Sequence, residues 1–292
     1  MSTTRYWMNG QQINEADAVI PVTDHGLLYG DGVFEGIRFY QRQPFYLEAH
    51  LERLWDSAQS IRLNIPNSKA QLSEVIGTLV KQFPDPEGYI RILVTRGPGP
   101  LGIDPSECGL PNVILIVDQL NMLDETTRQS GIRAIIASTR RIPSDSLDSR
   151  IKSLNYLNQI LARMEAQHAG VDEAILLNHA GYISEASVEN LFIVKQGMLL
   201  TPPATDGALD GITRRVVMQL ASNRTIPVYE KSLTPYDLYT ADECFLTGTG
   251  AELIPVREVD GRPISEPGPV FHTLLGAFLE ETKLQQRITS RI

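Results

Sequence analysis

Along these 292 residues, stretches that read as strands and helices are interspersed, but hairpins outnumber strand–helix–strand units. That order argues against a doubly wound parallel sheet and predicts an α+β protein. Strands are expected over 5–8 and 33–40, with a turn at 41–44. Leu47, Leu51, Leu54, Ala58 and Ile61 recur at spacings of three and four and predict a helix over 47–63, and a second helix is expected over 72–83. β-rich runs at 88–95 and 112–118 flank a Gly/Pro loop, 96–111, which is long for a hairpin. The polar run 121–130 marks a boundary. It divides the chain into an N-terminal α+β domain, 1–120, an interdomain loop, 121–130, and a C-terminal α+β domain, 131–292. In the last of these, strands are expected over 131–138, 172–177, 190–194 and 243–247, with a turn at 178–181. Helices are expected over 154–167, over 211–221 with Asp210 as cap, and over 271–284.

The chain is long enough for one large domain or two medium ones, and 42% hydrophobic with 21% charged residues is ordinary globular composition. A formal net charge of -9 argues against non-specific nucleic-acid binding but not against a local basic pocket for a small anion. No apolar run reaches the roughly 20 residues of a membrane span, and the first residues lack an apolar signal core. Cys108 and Cys244 have neither metal-ligand spacing nor the density of a disulfide framework, which points to a reducing cytoplasm. The five histidines form no short ligand pair, so no metal site is expected.

Lys152 stands at the mouth of an apolar helix whose Leu154, Leu157, Leu161 and Met164 share one side. Most lysines at such places are simply solvated. A positive charge is disfavoured at a helix N-terminus, however, and the neutral amine is the form that attacks a carbonyl carbon. Tyr156 lies four residues on and shares that side, although a lone tyrosine is more often a core or interface residue. Glu185, in Gly-Tyr-Ile-Ser-Glu-Ala-Ser-Val-Glu-Asn, would alone read as a solvated turn acid, but Glu189 follows across small residues and strengthens the case for a site.

Two stretches suit anions. Asp-Gly-Ile-Thr-Arg, 210–214, opens a helix with Ile212 and Thr213 in its first turn, and helix N-termini present free amides. Thr-Gly-Thr-Gly-Ala, 247–251, follows a strand, and its glycines let backbone amides approach a ligand. Arg53 is the side-chain cation best suited to a phosphate, against the alternative of a helix-surface arginine paired with an acid. In Tyr-Gly-Asp-Gly-Val-Phe-Glu-Gly-Ile-Arg, 29–38, glycines interrupt a strand-like run, a sign of close approach. Spacing leaves open which of Tyr29, Phe34 and Arg38 face a pocket. Arg91 lies inside an apolar strand after Tyr89 and needs an anion, either a substrate carboxylate or a structural acid.

Taken in order, these motifs resemble the fold-type IV, or class IV, pyridoxal phosphate-dependent aminotransferases, with the branched-chain amino acid aminotransferases as the nearest group. The resemblance runs from 29–38 to the Gly-Thr-Gly-Ala-Glu-Leu-Ile-Pro-Val segment. It implies two α+β domains with the cofactor between them and the loop near 121–130 over the site. Lys152 is then the Schiff-base lysine, Tyr156 contacts the cofactor's phenolic oxygen and Glu185 faces its pyridine nitrogen. Arg53, Ile212, Thr213 and Thr249 would hold the phosphate. Gly250 and Ala251 would offer amides to the substrate carboxylate, and Tyr29, Phe34, Arg38, Tyr89 and Arg91 would line the pocket. The implied reaction is amino transfer from leucine, isoleucine or valine to 2-oxoglutarate, in a homodimer or larger homo-oligomer. D-Amino acid aminotransferases, (R)-amine transaminases and aminodeoxychorismate lyases share the lysine, acid and phosphate cup and remain alternatives.

Overall fold

The computed structural model describes residues 3–120 and 125–289. Its contacts form two compact units. One comprises Met1–Asn121, Ile151–Asn155 and Thr282–Ile292, the other Met122–Arg150 and Tyr156–Glu281. The short piece carrying Lys152 thus groups with the first unit, although it falls within 131–292 in sequence. Of the expected interdomain loop, 121–124 lies outside the described residues and Glu125–Ser130 forms a short helix. Among the described residues no helix is long and apolar enough to cross a membrane.

The first unit contains β1 (Arg5–Met8), β2 (Gln11–Ile13), α1 (His25–Tyr29), β3 (Gly32–Tyr40), β4 (Gln43–Pro44), α2 (Leu47–Ser60), α3 (Lys69–Gln82), β5 (Gly88–Thr95) and β6 (Asn112–Asp118). The strands make one antiparallel sheet in the order β2-β1-β6-β5-β3-β4. Alternation sends Val33, Ile37 and Phe39 of β3 and Ile90, Ile92 and Val94 of β5 into one core, with Leu51 and Leu54 of α2 and Leu72, Ile76 and Leu79 of α3. α3 starts before the expected residue 72 because Ser68 and Gln71 form a reciprocal capping box. Beside the start of β3, Phe34 donates its backbone N–H to the Lys152 carbonyl at 3.0 Å, and Leu154 donates to Gly32 at 2.9 Å. These bonds attach the 151–155 piece to this sheet.

The second unit contains α4 (Glu125–Ser130), β7 (Ile132–Ile136), α5 (Leu157–His168), β8 (Glu173–Leu177), β9 (Ile183–Ala186), β10 (Asn190–Lys195), β11 (Met198–Thr201), α6 (Ile212–Asn223), β12 (Val228–Glu230), α7 (Pro235–Tyr239), β13 (Glu243–Gly248), β14 (Glu252–Val259), β15 (Arg262–Pro263) and α8 (Pro269–Thr289) as far as Glu281. Its strands run in the order β12-β11-β10-β13-β14-β7-β8-β9, with β15 paired to β14. The pairs β11–β12, β14–β7 and β7–β8 are parallel and the others antiparallel, giving a mixed sheet.

Three local expectations change in this unit. α5 begins at Leu157 rather than 154, and it turns the other way: Ala162 and Ala166 pack on Ala137, Ala174 and Leu176, while Leu157, Leu161 and Met164 are exposed. Small side chains let the helix lie close to β8, so alanines rather than leucines form its inward stripe. Glu185 lies on strand β9, where only a turn was expected, because the polar Ser-Glu pair hides a strand that is buried on both faces. Asp210 does not cap α6. The N-cap is Gly211, and Asp210 instead pairs with Arg215 at 2.7 Å.

Candidate active site

In the first unit, one side of α2 and both faces of β3 carry the candidate side chains. His50, Arg53 and Ser57 follow at spacings of three and four, so they share a side of α2, and all three are buried. Glu35 lies on the core-facing side of β3 between Val33 and Ile37 and is fully buried. Its carboxylate accepts from Arg53 Nε at 2.7 Å and from an Arg53 terminal nitrogen at 3.0 Å, while His50 Nδ1 lies 2.8 Å from its Oε2. Burial resists the charge on Glu35, but Arg53 and His50 outweigh it and hold the carboxyl far below the usual carboxylate range. Burial is also the largest influence on His50 and lowers its pKa against the pull of Glu35, with Arg53 and Lys152 adding to the lowering. A neutral His50 therefore carries its proton on Nδ1 and donates it to Glu35.

Ser57 Oγ accepts the backbone N–H of Lys152 at 3.1 Å, which ties the lysine's segment to α2. Lys152 does not sit at a helix N-terminus. Its backbone is extended against β3 and α5 starts only at Leu157, so the dipole argument for this amine does not apply. Its Nζ stands instead 4.6 Å from the centre of the Phe34 ring.

Phe34 and Arg38, whose facing the spacing left open, lie with Tyr89 and Arg91 on the face of β3 and β5 opposite the core. Register pairs Arg38 with Tyr89 and Gly36 with Arg91. The Arg91 guanidinium lies 4.8 Å from the Phe34 ring centre and 5.3 Å from that of Tyr89. Arg38 lies 5.0 Å from the Tyr40 ring centre and 4.0 Å from the Glu87 carboxylate. Gly36 makes room for Tyr89: a Cβ here would come within 1.7 Å of the Tyr89 hydroxyl and force that side chain to move. Tyr29 is not placed on this face by its contacts: its ring packs edgewise on His25 and its hydroxyl accepts from Gly102 N–H at 3.1 Å.

In the second unit an acid is held by a mixture of side chain and backbone. Glu185 Oε1 pairs with Arg141 at 2.6 Å, and its Oε2 accepts from Leu209 N–H at 2.9 Å and from the Asn190 amide at 3.2 Å. Arg141 Nε also binds the Gly207 carbonyl at 2.9 Å, and the Asn190 amide binds the Leu209 carbonyl at 2.8 Å. The loop 207–211 is thereby drawn to β9 and β10 just before α6 begins. Gly211 lies so close to Asn190 that a Cβ would meet its Oδ1 at 2.0 Å. Ile212 and Thr213 are buried in the first turn of α6, and Gly211 provides no side-chain cap. Asn190 is the cross-strand partner of Thr247, whose hydroxyl is buried without a hydrogen-bond partner among the described residues. Thr249, Gly250 and Ala251 form the half-exposed turn between β13 and β14, and half-buried Tyr156 is the N-cap of α5.

Glu189 does not join Glu185. Its carboxyl tip is enclosed, and burial first, then the nearby Glu173, push its pKa well up. Sequence reasoning missed Glu35, His50 and Arg141. The first two could have been found by matching the acid on the core side of one strand to the His50–Arg53 spacing on the next helix. Arg141, in an irregular stretch after β7, carries no such signal.

Comparison with known proteins agrees with this architecture. The model of the class IV amino-transferase family matches residues 32–259. The branched-chain-amino-acid aminotransferase of Escherichia coli K12 is 38% identical over 93% of this chain and 91% of its own. A Methanocaldococcus jannaschii protein that bears that name provisionally is 49% identical over 89% and 90%. A solved T.th. branched-chain amino acid aminotransferase with pyridoxamine 5′-phosphate superposes with a TM-score of 0.92 at 37% identity, covering 96% of this chain and 94% of its own. The same enzyme complexed with N-(5′-phosphopyridoxyl)-L-glutamate gives a TM-score of 0.91 at 36% identity over the same shares, 96% and 94%. The chain belongs to the class IV aminotransferases. Within that class its similarity runs to the branched-chain amino acid aminotransferases.

Proposed function

We propose that this chain transfers the amino group of leucine, isoleucine and valine to 2-oxoglutarate, with pyridoxal 5′-phosphate as cofactor. One observation carries the reading: the Lys152 amine and the Arg91 guanidinium approach the same Phe34 ring, at 4.6 and 4.8 Å. An apolar wall thus stands beside an amine able to carry protons and a cation able to meet a carboxylate. The T.th. complex bearing a glutamyl group supports 2-oxoglutarate as the acceptor.

The residues present suit a phosphorylated, aromatic cofactor. Among the described residues the α6 N-terminus lacks a side-chain cap and the buried Thr247 hydroxyl lacks a partner, and Arg53 is a buried cation. When bound, the cofactor supplies a carbonyl and an electron-withdrawing ring that make the donor's Cα proton acidic. Lys152 holds the cofactor and its Nζ carries the proton from the donor Cα. Arg53, Ile212, Thr213 and Thr249 bind the phosphate, Tyr156 the phenolic oxygen, and Glu185 the ring nitrogen. Arg141, Asn190 and the Leu209 amide keep the Glu185 carboxyl from swinging away. Gly250 and Ala251 present amides to the substrate carboxylate. Phe34 and Tyr89 form the apolar side of the pocket, and Arg38 or Arg91 meets the acceptor's second carboxylate.

The enzyme works in the cytoplasm as a homodimer or larger homo-oligomer. The exposed Leu157, Ile160, Leu161 and Met164, all on α5, support assembly. A donor panel with 2-oxoglutarate decides the function: L-leucine, L-isoleucine and L-valine are expected to turn over well ahead of D-alanine and (R)-1-phenylethylamine. Turnover of D-alanine or the amine alone would refute the reading.

A further inference from the structure

We infer that Glu35 is a positioning residue for cofactor phosphate binding: buried opposite α2, it fixes the Arg53 guanidinium in one orientation. The inference rests on the reading that Arg53 meets the phosphate. Glu35 occupies a core-facing position among Val33, Ile37 and Phe39, where an apolar side chain would pack without any need for a partner. A buried ion pair adds little stability over an apolar pair of similar volume, so stability alone gives no reason for an acid here. What the pair does provide is direction. The carboxylate engages Nε at 2.7 Å and one terminal nitrogen at 3.0 Å, and this two-point grip fixes the plane of the guanidinium and the heading of its other terminal nitrogen. His50 fixes the grip in turn, with Nδ1 2.8 Å from Oε2. An arginine already ordered and charge-balanced inside the protein spends no side-chain entropy when an anion arrives.

The test compares two aldehydes that differ only in the phosphate. Dissociation constants of pyridoxal 5′-phosphate and pyridoxal are measured on the full-length protein stripped of cofactor, by absorbance titration, for wild type, Glu35→Gln, Glu35→Asp and Arg53→Lys. Glu35→Gln removes the charge, and Glu35→Asp keeps it but withdraws the carboxylate by one methylene. Both are expected to shrink the preference for the phosphorylated form roughly tenfold to a hundredfold, by analogy with the range seen when the outer partners of metal-ligating residues are removed. Arg53→Lys should shrink it as well. If Arg53→Lys shrinks the preference and neither Glu35 variant does, the inference is overturned while the phosphate role of Arg53 stands. If no variant changes it, that role fails and the inference with it. A purely structural pair would weaken both aldehydes alike and leave the ratio at its wild-type value, which also overturns the inference. Should Glu35→Gln fail to fold, Glu35→Asp decides the matter.

Discussion

The two units hold their acids differently. In the first, Glu35 is enclosed in an apolar core and gripped chiefly by Arg53 and His50, which stand on one side of a regular helix, with a longer bond of 3.3 Å from the neighbouring Gly36 N–H. In the second, Glu185 is held by Arg141 from a loop, by Asn190 from the strand end and by the Leu209 backbone amide. The contrast teaches that charge in a packed core is placed by elements with fixed periodicity, whereas the acid on β9 is placed largely by loops pinned at a few points. The first arrangement should fail abruptly when one partner is lost. The second should loosen by degrees, because each bond carries a share.

The largest effect is expected at the lysine, which neither arrangement holds directly. Lys152→Ala is expected to lower kcat by at least ~10²–10⁴-fold, the range for a positioned acid–base group, with circular dichroism unchanged. Next comes the core cluster. Glu35→Ala strands Arg53 in the interior and should cost about 3–5 kcal/mol in urea unfolding, as breaking buried pairs does. Gly211→Ala probes the cradle: its Cβ would displace Asn190, and an overpacking cost of roughly 1–3 kcal/mol is expected, together with weaker cofactor retention. A loss as large as that of Glu35→Ala would break the contrast drawn above.

The smallest effect at neutral pH concerns Glu189. Its pKa is raised in the folded protein, so the folded state holds its proton more tightly than the unfolded one. Wild-type stability should fall as pH rises from the ordinary value of 4.5 up to the raised folded value, then level off. Glu189→Gln removes this dependence. Thermal scans across pH should therefore show the variant gaining on wild type as pH rises and matching it in acid. A variant that loses ground at high pH would contradict the enclosure of that carboxyl.

Much of the fold was legible in the sequence. The strands at β3, β5 and β6 and the helices α2 and α3 follow their periodicity, because each buries one face against a common core. Periodicity failed at β9, whose two buried faces leave no alternation, and at α5, where the apolar stripe faces outward and alanines face in. Lys152 stood out by a helix-end position that the structure does not show, since α5 starts only at Leu157. It lies on an extended segment against β3, and nothing local in Arg-Ile-Lys-Ser-Leu-Asn predicts pairing with a strand more than a hundred residues earlier.

By itself the sequence determined the α+β class, the order of the family's motifs and the residue types a phosphorylated aldehyde cofactor needs, since these depend on spacing and composition along the chain. Only the tertiary structure decided that Phe34, Arg38, Tyr89 and Arg91 share one sheet face, that Glu35 and His50 stand behind Arg53, and that Arg141 and Asn190 brace Glu185. Those relations arise from strand register and from helix-to-sheet packing. They join residues far apart in the chain through contacts that no local pattern encodes.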